Sequence, residues 1–290
     1  MEKLSKRRWL YDRGLRALLY LCGLLVCALL VFLIGYIFVR GLPLVTWELL
    51  STQTSMLKGT TGILPHIAST IYIIVLSMAI VLPLGVGAAI YLTEYASNRR
   101  LAAIIEFAAE TLTGIPSIIF GLVGMMVFIQ LMGLKAGILA GGLTLVVMIL
   151  PTIIRTTQES LKTVPQSYRE GALGLGAGKW HMIRTVVLPS SVDGIVTGCI
   201  LAVGRIVGES AVLMFTAGMG MRLAKYGDTV GEFFTNLFDS SGATLTVALY
   251  NYAKERADFD SAFAVAVVLL VIAFVINIAA KLAGKKLKNR

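Results

Sequence analysis

The sequence predicts an all-α integral membrane protein with six transmembrane helices and with both termini in the cytoplasm. Hydrophobic residues make up 57% of the 290 residues, and charged residues make up only 14%, against about 25% in a usual soluble domain. Six apolar segments are each long enough to cross the ~30 Å hydrocarbon core of a lipid bilayer as a helix. Lys and Arg are concentrated in the intervening segments that this topology places in the cytoplasm.

The six apolar segments are separated by charged stretches. They lie at residues 17–39, 59–93, 111–134, 136–154, 192–217 and 261–280. The second is longer than one crossing needs, so it is predicted to include a lead-in segment. The first exceeds the ~7–15 apolar residues of a cleaved signal peptide and is predicted to be a retained span. Alternating ten-residue strands, which indicate a transmembrane barrel, are absent from the sequence.

The net charge of +10 is a possible sign of nucleic-acid binding. With the N-terminus inside, however, most of the 26 Lys and Arg residues fall on the cytoplasmic side, as the positive-inside rule predicts, so no nucleic acid is needed. This topology gives a cytoplasmic tail at 1–16, a transmembrane domain at 17–283 and a second cytoplasmic tail at 284–290. It also gives two long loops, a cytoplasmic one at 158–190 and an external one at 218–260.

Cysteine and histidine are too few for a disulfide framework or a metal centre. The three cysteines all lie in apolar segments, without metal-ligand spacing. Of the two histidines, His66 is expected to be packed and neutral, and His181 is expected at the surface. No metal site is predicted.

The cytoplasmic loop carries a spaced pattern of helix-forming and turn-forming residues. Its members are Glu170, Gly171, Ala172, Gly176, Leu188 and Pro189. Ser167 can cap a helix, with Glu170 placed three residues on as in a capping box. A short helix, a glycine turn and a second helix would form a compact knob suited to a groove on a partner. The alternative is a solvated linker in which the glycines only provide turns.

This pattern resembles the EAA motif of ABC-importer permeases, in which Glu-Ala-Ala is followed by Gly and then by Ile-x-Leu-Pro. The chain departs from the motif at Gly171, which replaces the middle Ala, and at Val186, which replaces Ile. The resemblance implies a type I ABC-importer permease fold. It also implies that the cytoplasmic loop is a coupling loop that docks on an ATPase subunit.

The fifth apolar segment contains two opposite charges, Arg205 and Glu209, and two small residues, Gly204 and Gly208. An Arg at the bilayer centre costs roughly 2.5–3.5 kcal/mol on insertion scales. Their spacing of four residues puts the charges on one helical face, where they are able to pair, and the glycines permit close helix approach. Two interpretations stay open: the pair fastens two helices, or the guanidinium grips the oxygens of an anion.

The segment 204–210 resembles the Arg-x-x-Gly-Glu-Thr signature of phosphate ABC-importer permeases, with Ser210 in place of Thr. The stretches 92–96, 113–121 and 149–157 resemble the same PstA-like family. The resemblance implies a substrate path for inorganic phosphate that includes Arg205 and Glu209. It also implies a PstC-like second permease subunit, two copies of a cytoplasmic ABC ATPase and an extracytoplasmic phosphate-binding protein.

A chain of this kind is not an enzyme. It has no Walker A pattern, so ATP and Mg²⁺ are expected on the partner ATPase, and no cofactor is expected in this chain. The expected location is the plasma (inner) membrane of a bacterium or archaeon, as a multi-pass protein.

Four further charges border the membrane spans. Arg155 ends the fourth span and is either a positive-inside anchor or a second guanidinium on the exit path of the anion. Glu94, Glu106 and Glu110 surround the turn between the second and third spans, and are predicted to be solvated.

Three other functions compete with phosphate import. One is import of another tetrahedral oxyanion. A proton-coupled secondary carrier could use Arg205 and Glu209, but it needs no docking loop and usually shows an internal repeat, which this sequence lacks. An intramembrane enzyme would need a metal-binding histidine pair, a serine elbow or paired aspartates, and the sequence has none of them.

Overall fold

The structure is a computed structural model that describes residues 6–55, 60–220 and 241–288. Residues 221–240 of the predicted external loop lie outside the described residues, as do parts of both predicted tails. The described helices are α1 Lys6–Gly41, α2 Trp47–Ser51, α3 Leu64–Ile90, α4 Arg99–Thr113, α5 Ser117–Gly124, α6 Ile138–Lys162, α7 Gln166–Gly174, α8 Lys179–Met182, α9 Leu188–Gly208, α10 Ala211–Thr216, α11 Leu245–Tyr250 and α12 Phe259–Lys288. Wider π-helical turns follow α3, α5, α8 and α11 at Tyr91–Tyr95, Met125–Leu131, Ile183–Val187 and Asn251–Glu255.

Five helical stretches are long and apolar enough to cross a membrane by themselves. They are Tyr11–Leu44, Leu64–Tyr95, Ile138–Lys162, Lys179–Gly208 and Phe259–Lys286. These stretches confirm five of the six predicted spans as helices. No residue in the most apolar part of the first stretch is buried within this chain, as expected for a helix that largely faces lipid.

The third predicted span is a bent pair of helices, and its prediction as one apolar helix at 111–134 is wrong. α4 and α5 meet at 103°. The break falls at Gly114 and Pro116, and Pro116 precedes α5 in an extended conformation (φ −56°, ψ 136°). A proline lacks the N–H that would continue α4, and it disfavours a helical conformation at the residue before it. Counted as one span, the bent pair brings the number of candidate spans in the described residues to six, as predicted.

The fifth predicted span is also interrupted. Helix begins at Lys179, well before the predicted start of the span at 192, and ends at Gly208. Glu209 adopts an extended conformation (φ −84°, ψ 121°), and α10 begins two residues later. The prediction that Arg205 and Glu209 share one helical face is therefore wrong, because the helix does not include Glu209.

The lead-in to the second span contains a small β-hairpin that the sequence analysis did not predict. Strands β1 Gln53–Ser55 and β2 Thr60–Ile63 pair antiparallel, with Gln53 opposite Ile63. Thr54 Oγ1 donates a hydrogen bond to the Gly62 carbonyl at 2.8 Å. The prediction of a lead-in segment is confirmed, and the fold remains otherwise helical.

The core forms where α3, α6 and α9 pack together, with α5 and α10 against them. Close contact between α3 and α6 depends on small residues, because a Cβ at Gly85 would overlap Ile153 and a Cβ at Gly142 would overlap Leu76. Ser77 Oγ also donates a hydrogen bond to the Gly142 carbonyl at 3.2 Å. These contacts make α3 and α6 one packed unit.

Candidate functional site

The predicted knob exists as α7, a glycine turn and α8, and these residues, 166–182, are called the docking loop here. The turn is a Schellman motif, in which Ala177 N–H bonds to the Ala172 carbonyl and Gly176 N–H bonds to the Leu173 carbonyl. Gly176 has φ +84°, a left-handed conformation that costs other residues roughly 1–2 kcal/mol. The glycine at this position of the EAA-like pattern is therefore required by the backbone.

The remaining residues of the pattern have different environments. Glu170, Gly171 and Pro189 are exposed, whereas Ala172 and Leu188 are half-buried against the cluster that supports the loop. The predicted capping box is wrong, because Pro165 occupies the N-cap position of α7 and no side chain caps the helix.

Large apolar side chains on the docking loop face solvent, and the sequence analysis missed them. They are Tyr168, Leu173, Leu175 and Trp180. Leu175 is 91% exposed and Trp180 is 57% exposed. Exposed apolar residues that are grouped together indicate a protein-binding surface. Large apolar residues within an otherwise polar cytoplasmic loop are the sequence feature that could have predicted this exposed surface.

A largely buried ion pair ties the docking loop to the membrane helices. Arg169, on α7, donates through Nε and Nη2 to Oε1 of Glu94 at 3.1 and 2.9 Å. The two side chains are only 11% and 7% exposed. The prediction that Glu94 is solvated is therefore wrong. No local pattern in the sequence indicates this contact, because its two residues lie far apart along the chain.

The break in span five is held by contacts to α11 and its lead-in. The Glu209 carbonyl accepts a hydrogen bond from Thr246 Oγ1 at 3.1 Å. The start of α11 is in turn fixed on α3, since Thr70 Oγ1 accepts from Leu245 N–H at 3.0 Å. His66 Nδ1 lies 2.9 Å from the Ala243 carbonyl. His66 is 1% exposed, so the prediction that it is packed is confirmed.

Arg205 lies near the end of α9, on a face that the described chain leaves uncovered. Gly204 and Gly208 on this face have no atom near the position of an added Cβ, and Leu201 is 56% exposed. Arg205 is half-buried, and within residues 6–55, 60–220 and 241–288 its side chain forms no hydrogen bond or ion pair, including none with Glu209. The interpretation of the two charges as a fastening pair therefore has no support in this structure.

Arg155 lies in a separate, charged cleft of about 220 Å³ between α4 and α6. Its guanidinium contacts Glu110 at 3.3 Å and Glu159 at 3.2 Å. Nearby, Gln158 donates to Glu106 at 2.9 Å. The prediction that Glu106 and Glu110 are solvated is confirmed by their exposed side chains. Among the described residues, no three His, Cys, Asp or Glu side chains lie close enough together to bind a metal ion.

A multi-pass helical chain with an apolar docking loop and a charged, interrupted span has the architecture of a membrane permease subunit. The sequence profile of the binding-protein-dependent transport system inner membrane component family matches residues 81–289, and the chain belongs to this family.

Individual relatives and solved structures show which members of the family the chain resembles. It is 32% identical over 284 residues to the probable ABC transporter permease protein YqgI of Bacillus subtilis, covering 96% of each chain. It is also 32% identical to the phosphate transport system permease protein PstA of Yersinia pestis, covering 86% of each chain. A bacterial ABC transporter involved in the import of the acidic polysaccharide alginate has the same fold, with a TM-score of 0.61 over 96% of this chain and 99% of that one at 15% identity. The chain is a multi-pass permease subunit of an ABC importer, with the predicted type I fold.

Proposed function

We propose that this chain is the PstA-like permease subunit of an ATP-driven importer of inorganic phosphate. It forms the translocation path with a PstC-like second permease subunit and receives phosphate from an extracytoplasmic phosphate-binding protein. Two copies of a cytoplasmic ABC ATPase, which hold ATP and Mg²⁺, drive the cycle. The chain carries no cofactor and does no covalent chemistry. Its similarity to PstA of Yersinia pestis along most of both chains supports phosphate as the substrate.

The environment of Arg205 is the observation that carries this proposal. A guanidinium in a membrane span is costly unless something neutralises it, and no described residue of the chain pairs with Arg205. Its side of α9 is open at Gly204 and Gly208, so an anion or a second subunit can approach. The planar guanidinium can donate to two oxygens of a tetrahedral anion at once. Glu209 and Arg155 are proposed members of the same substrate path.

Transport proceeds by alternating access. The apolar side chains of the docking loop bind a groove on the ATPase, and closure of the ATPase dimer moves this loop. Because α3, α6 and α9 pack as one unit, movement at their ends tilts the spans together. The path then opens toward the cytoplasm and releases the anion.

Two alternatives make different predictions. A permease for another oxyanion, such as sulfate, would use the same guanidinium. A proton-coupled carrier is disfavoured because the chain has a docking loop and belongs to a family of binding-protein-dependent transporters.

Uptake by the complete importer in proteoliposomes tests the proposal. With ATP inside and the binding protein outside, radiolabelled phosphate should accumulate, and a proton ionophore should leave this uptake unchanged. Radiolabelled sulfate serves as the control substrate. Sulfate uptake above that of phosphate would establish the other oxyanion as the substrate. Uptake that needs no ATP and stops with the ionophore would establish a secondary carrier.

A further inference from the structure

One guanidinium joins three elements at the base of the docking loop. Besides its two bonds to Glu94, Arg169 donates through Nη1 to the Val164 carbonyl at 2.7 Å and through Nη2 to the Leu161 carbonyl at 2.9 Å. Glu94 lies in the π-helical turn that ends α3. The two carbonyls lie at and just beyond the end of α6, where helix carbonyls lack intrahelical donors. Arg169 therefore connects α7 to the ends of both α3 and α6.

The Arg169–Glu94 ion pair is shielded from water, whereas the other ion pairs near the end of α6 are exposed. The side chains of the ion pairs that Arg155 and Lys162 form on α6 are all 46% or more exposed, and such exposed pairs contribute little. Hydrogen bonds between two charged groups are shorter and roughly twice as strong as neutral ones. Away from water, the Arg169–Glu94 pair keeps this strength, so it resists displacement of the loop relative to the spans.

A second contact supports the same connection. Lys179, at the start of α8, lies 4.9 Å from the ring centre of Tyr95, next to Glu94 in the same turn. Apolar packing completes the base of the loop, since Met182 and Ile183 are buried with Ile90 of α3 and Leu161 of α6. Both helices of the docking loop are thus attached to the end of α3.

From the ends of α3 and α6, displacement extends into the core. The two helices are in close contact along their length, as shown by Gly85 against Ile153. α6 is also bonded to α9, since Ser160 Oγ donates to the Ser191 carbonyl at 2.7 Å. A Cβ at Gly198 of α9 would overlap Thr156 of α6. A force on Arg169 therefore acts on α9, which carries Arg205.

We propose that Arg169 and Glu94 are positioning residues that transmit movement of the docking loop to the membrane spans, which couples ATP hydrolysis to transport. This role rests on the proposed function as an ATP-driven importer. It differs from that of the exposed apolar side chains, which bind the ATPase but have no such link to the spans. Loss of the pair should leave the ATPase bound while its movement no longer tilts α3 and α6.

The test uses the complete importer in proteoliposomes and measures ATP hydrolysis and phosphate uptake together. Arg169→Ala and Glu94→Ala should retain the ATPase subunits and hydrolyse ATP within about twofold of wild type. Uptake per ATP should fall about tenfold, within the usual range of coupling effects. Arg169→Lys, which keeps the charge but cannot reach all three acceptors, should fall in between. Arg184→Ala, which removes an exposed cation from the same loop region, should match wild type in both measurements.

Two results would overturn the proposed coupling role. One is unchanged uptake per ATP, whether or not hydrolysis and uptake fall in parallel, and the other is loss of the ATPase from the complex. If the alanine variants fail to reach the membrane, Arg169→Lys and Glu94→Gln decide by the same ratio, because they change the side chains least.

A distance measurement separates this proposal from the choice of substrate. Spin labels on cysteines at Ser167 and Ser97, in a background without the three native cysteines, report the separation of α7 from the end of α3. In the otherwise unchanged importer this separation should stay constant when ATP binds, and in Arg169→Ala it should change. An unchanged separation in the variant would overturn the coupling role. Absence of phosphate uptake in wild type would instead contradict only the proposed substrate.

Discussion

The side chain of Glu209 accepts a hydrogen bond through Oε1 from the backbone N–H of Val212 at 3.2 Å. Val212 lies in the first turn of α10, where backbone N–H groups lack intrahelical acceptors. A carboxylate there also interacts favourably with the positive end of the helix dipole. Glu209 therefore stabilises the break in span five, and it is not a counter-ion for Arg205. The two charges of this span have separate surroundings and can be tested separately.

Glu209→Ala should destabilise the protein by ~1 kcal/mol, the usual cost of removing a side chain that accepts a hydrogen bond from the first turn of a helix. Glu209→Gln keeps an oxygen that can accept from Val212 and should unfold close to the wild-type temperature. Thermal unfolding of the purified protein in detergent measures both variants, and Glu110→Ala, which changes an exposed glutamate, is the control. Equal destabilisation by Gln and Ala would show that the charge of Glu209, and not its capping bond, stabilises the break.

Gly176→Ala should distort the docking loop, because φ at this position is +84°. The expected cost is ~1–2 kcal/mol, the penalty for a side chain in the left-handed region. The matched control is Gly178→Ala, since Gly178 has φ −69° and open space around it. Hydrogen exchange of residues 166–182 and recovery of the ATPase in pull-down should both change for Gly176→Ala alone. A similar effect of both variants would mean that backbone conformation is not the reason for glycine at 176.

Leu175→Ser and Trp180→Ser should weaken binding of the ATPase without lowering the stability of the chain. Both side chains are largely exposed, so their removal costs little in the isolated protein, whereas apolar and aromatic anchors usually dominate an interface. Pull-down of the ATPase and thermal unfolding of the permease measure the two effects. Leu42→Ser, an exposed leucine on the predicted external side, is the control. Normal recovery of the ATPase by the double variant would exclude this surface as the docking site.

Local patterns in the sequence predicted the parts of the fold that depend on local chemistry. Apolar length identified the spans, and spaced glycines identified the turn at Gly176. Pro116 indicated a bend in the third span. The sharpness of the bend could not be predicted, because residues 111–134 are uniformly apolar. Hydropathy measures the cost of leaving water and says nothing about helix direction.

Contacts between distant segments were beyond prediction from one sequence. Glu94 looked like a solvated charge because nothing near it in the chain indicated that Arg169 would reach it. Glu209 was placed on the same helical face as Arg205 by spacing, which holds only while the helix continues. The bond between the Glu209 carbonyl and Thr246 comes from a segment 37 residues away and accompanies the end of the helix.

Arg205→Lys should impair phosphate uptake although it keeps the positive charge. Lysine is a point charge, and it lacks the planar group that meets two oxygens at once. The expected loss is about tenfold, equivalent to ~1.4 kcal/mol. Arg184→Lys, at an exposed position, should leave uptake unchanged.

Because Arg205 has no ion pair with Glu209 in this structure, the double variant Arg205→Gln with Glu209→Gln should not recover uptake. Membrane levels are measured beside uptake, since a change of charge in a span can also reduce insertion. Full uptake by Arg205→Lys, or recovery in the double variant at normal membrane levels, would show that Arg205 does not grip the anion.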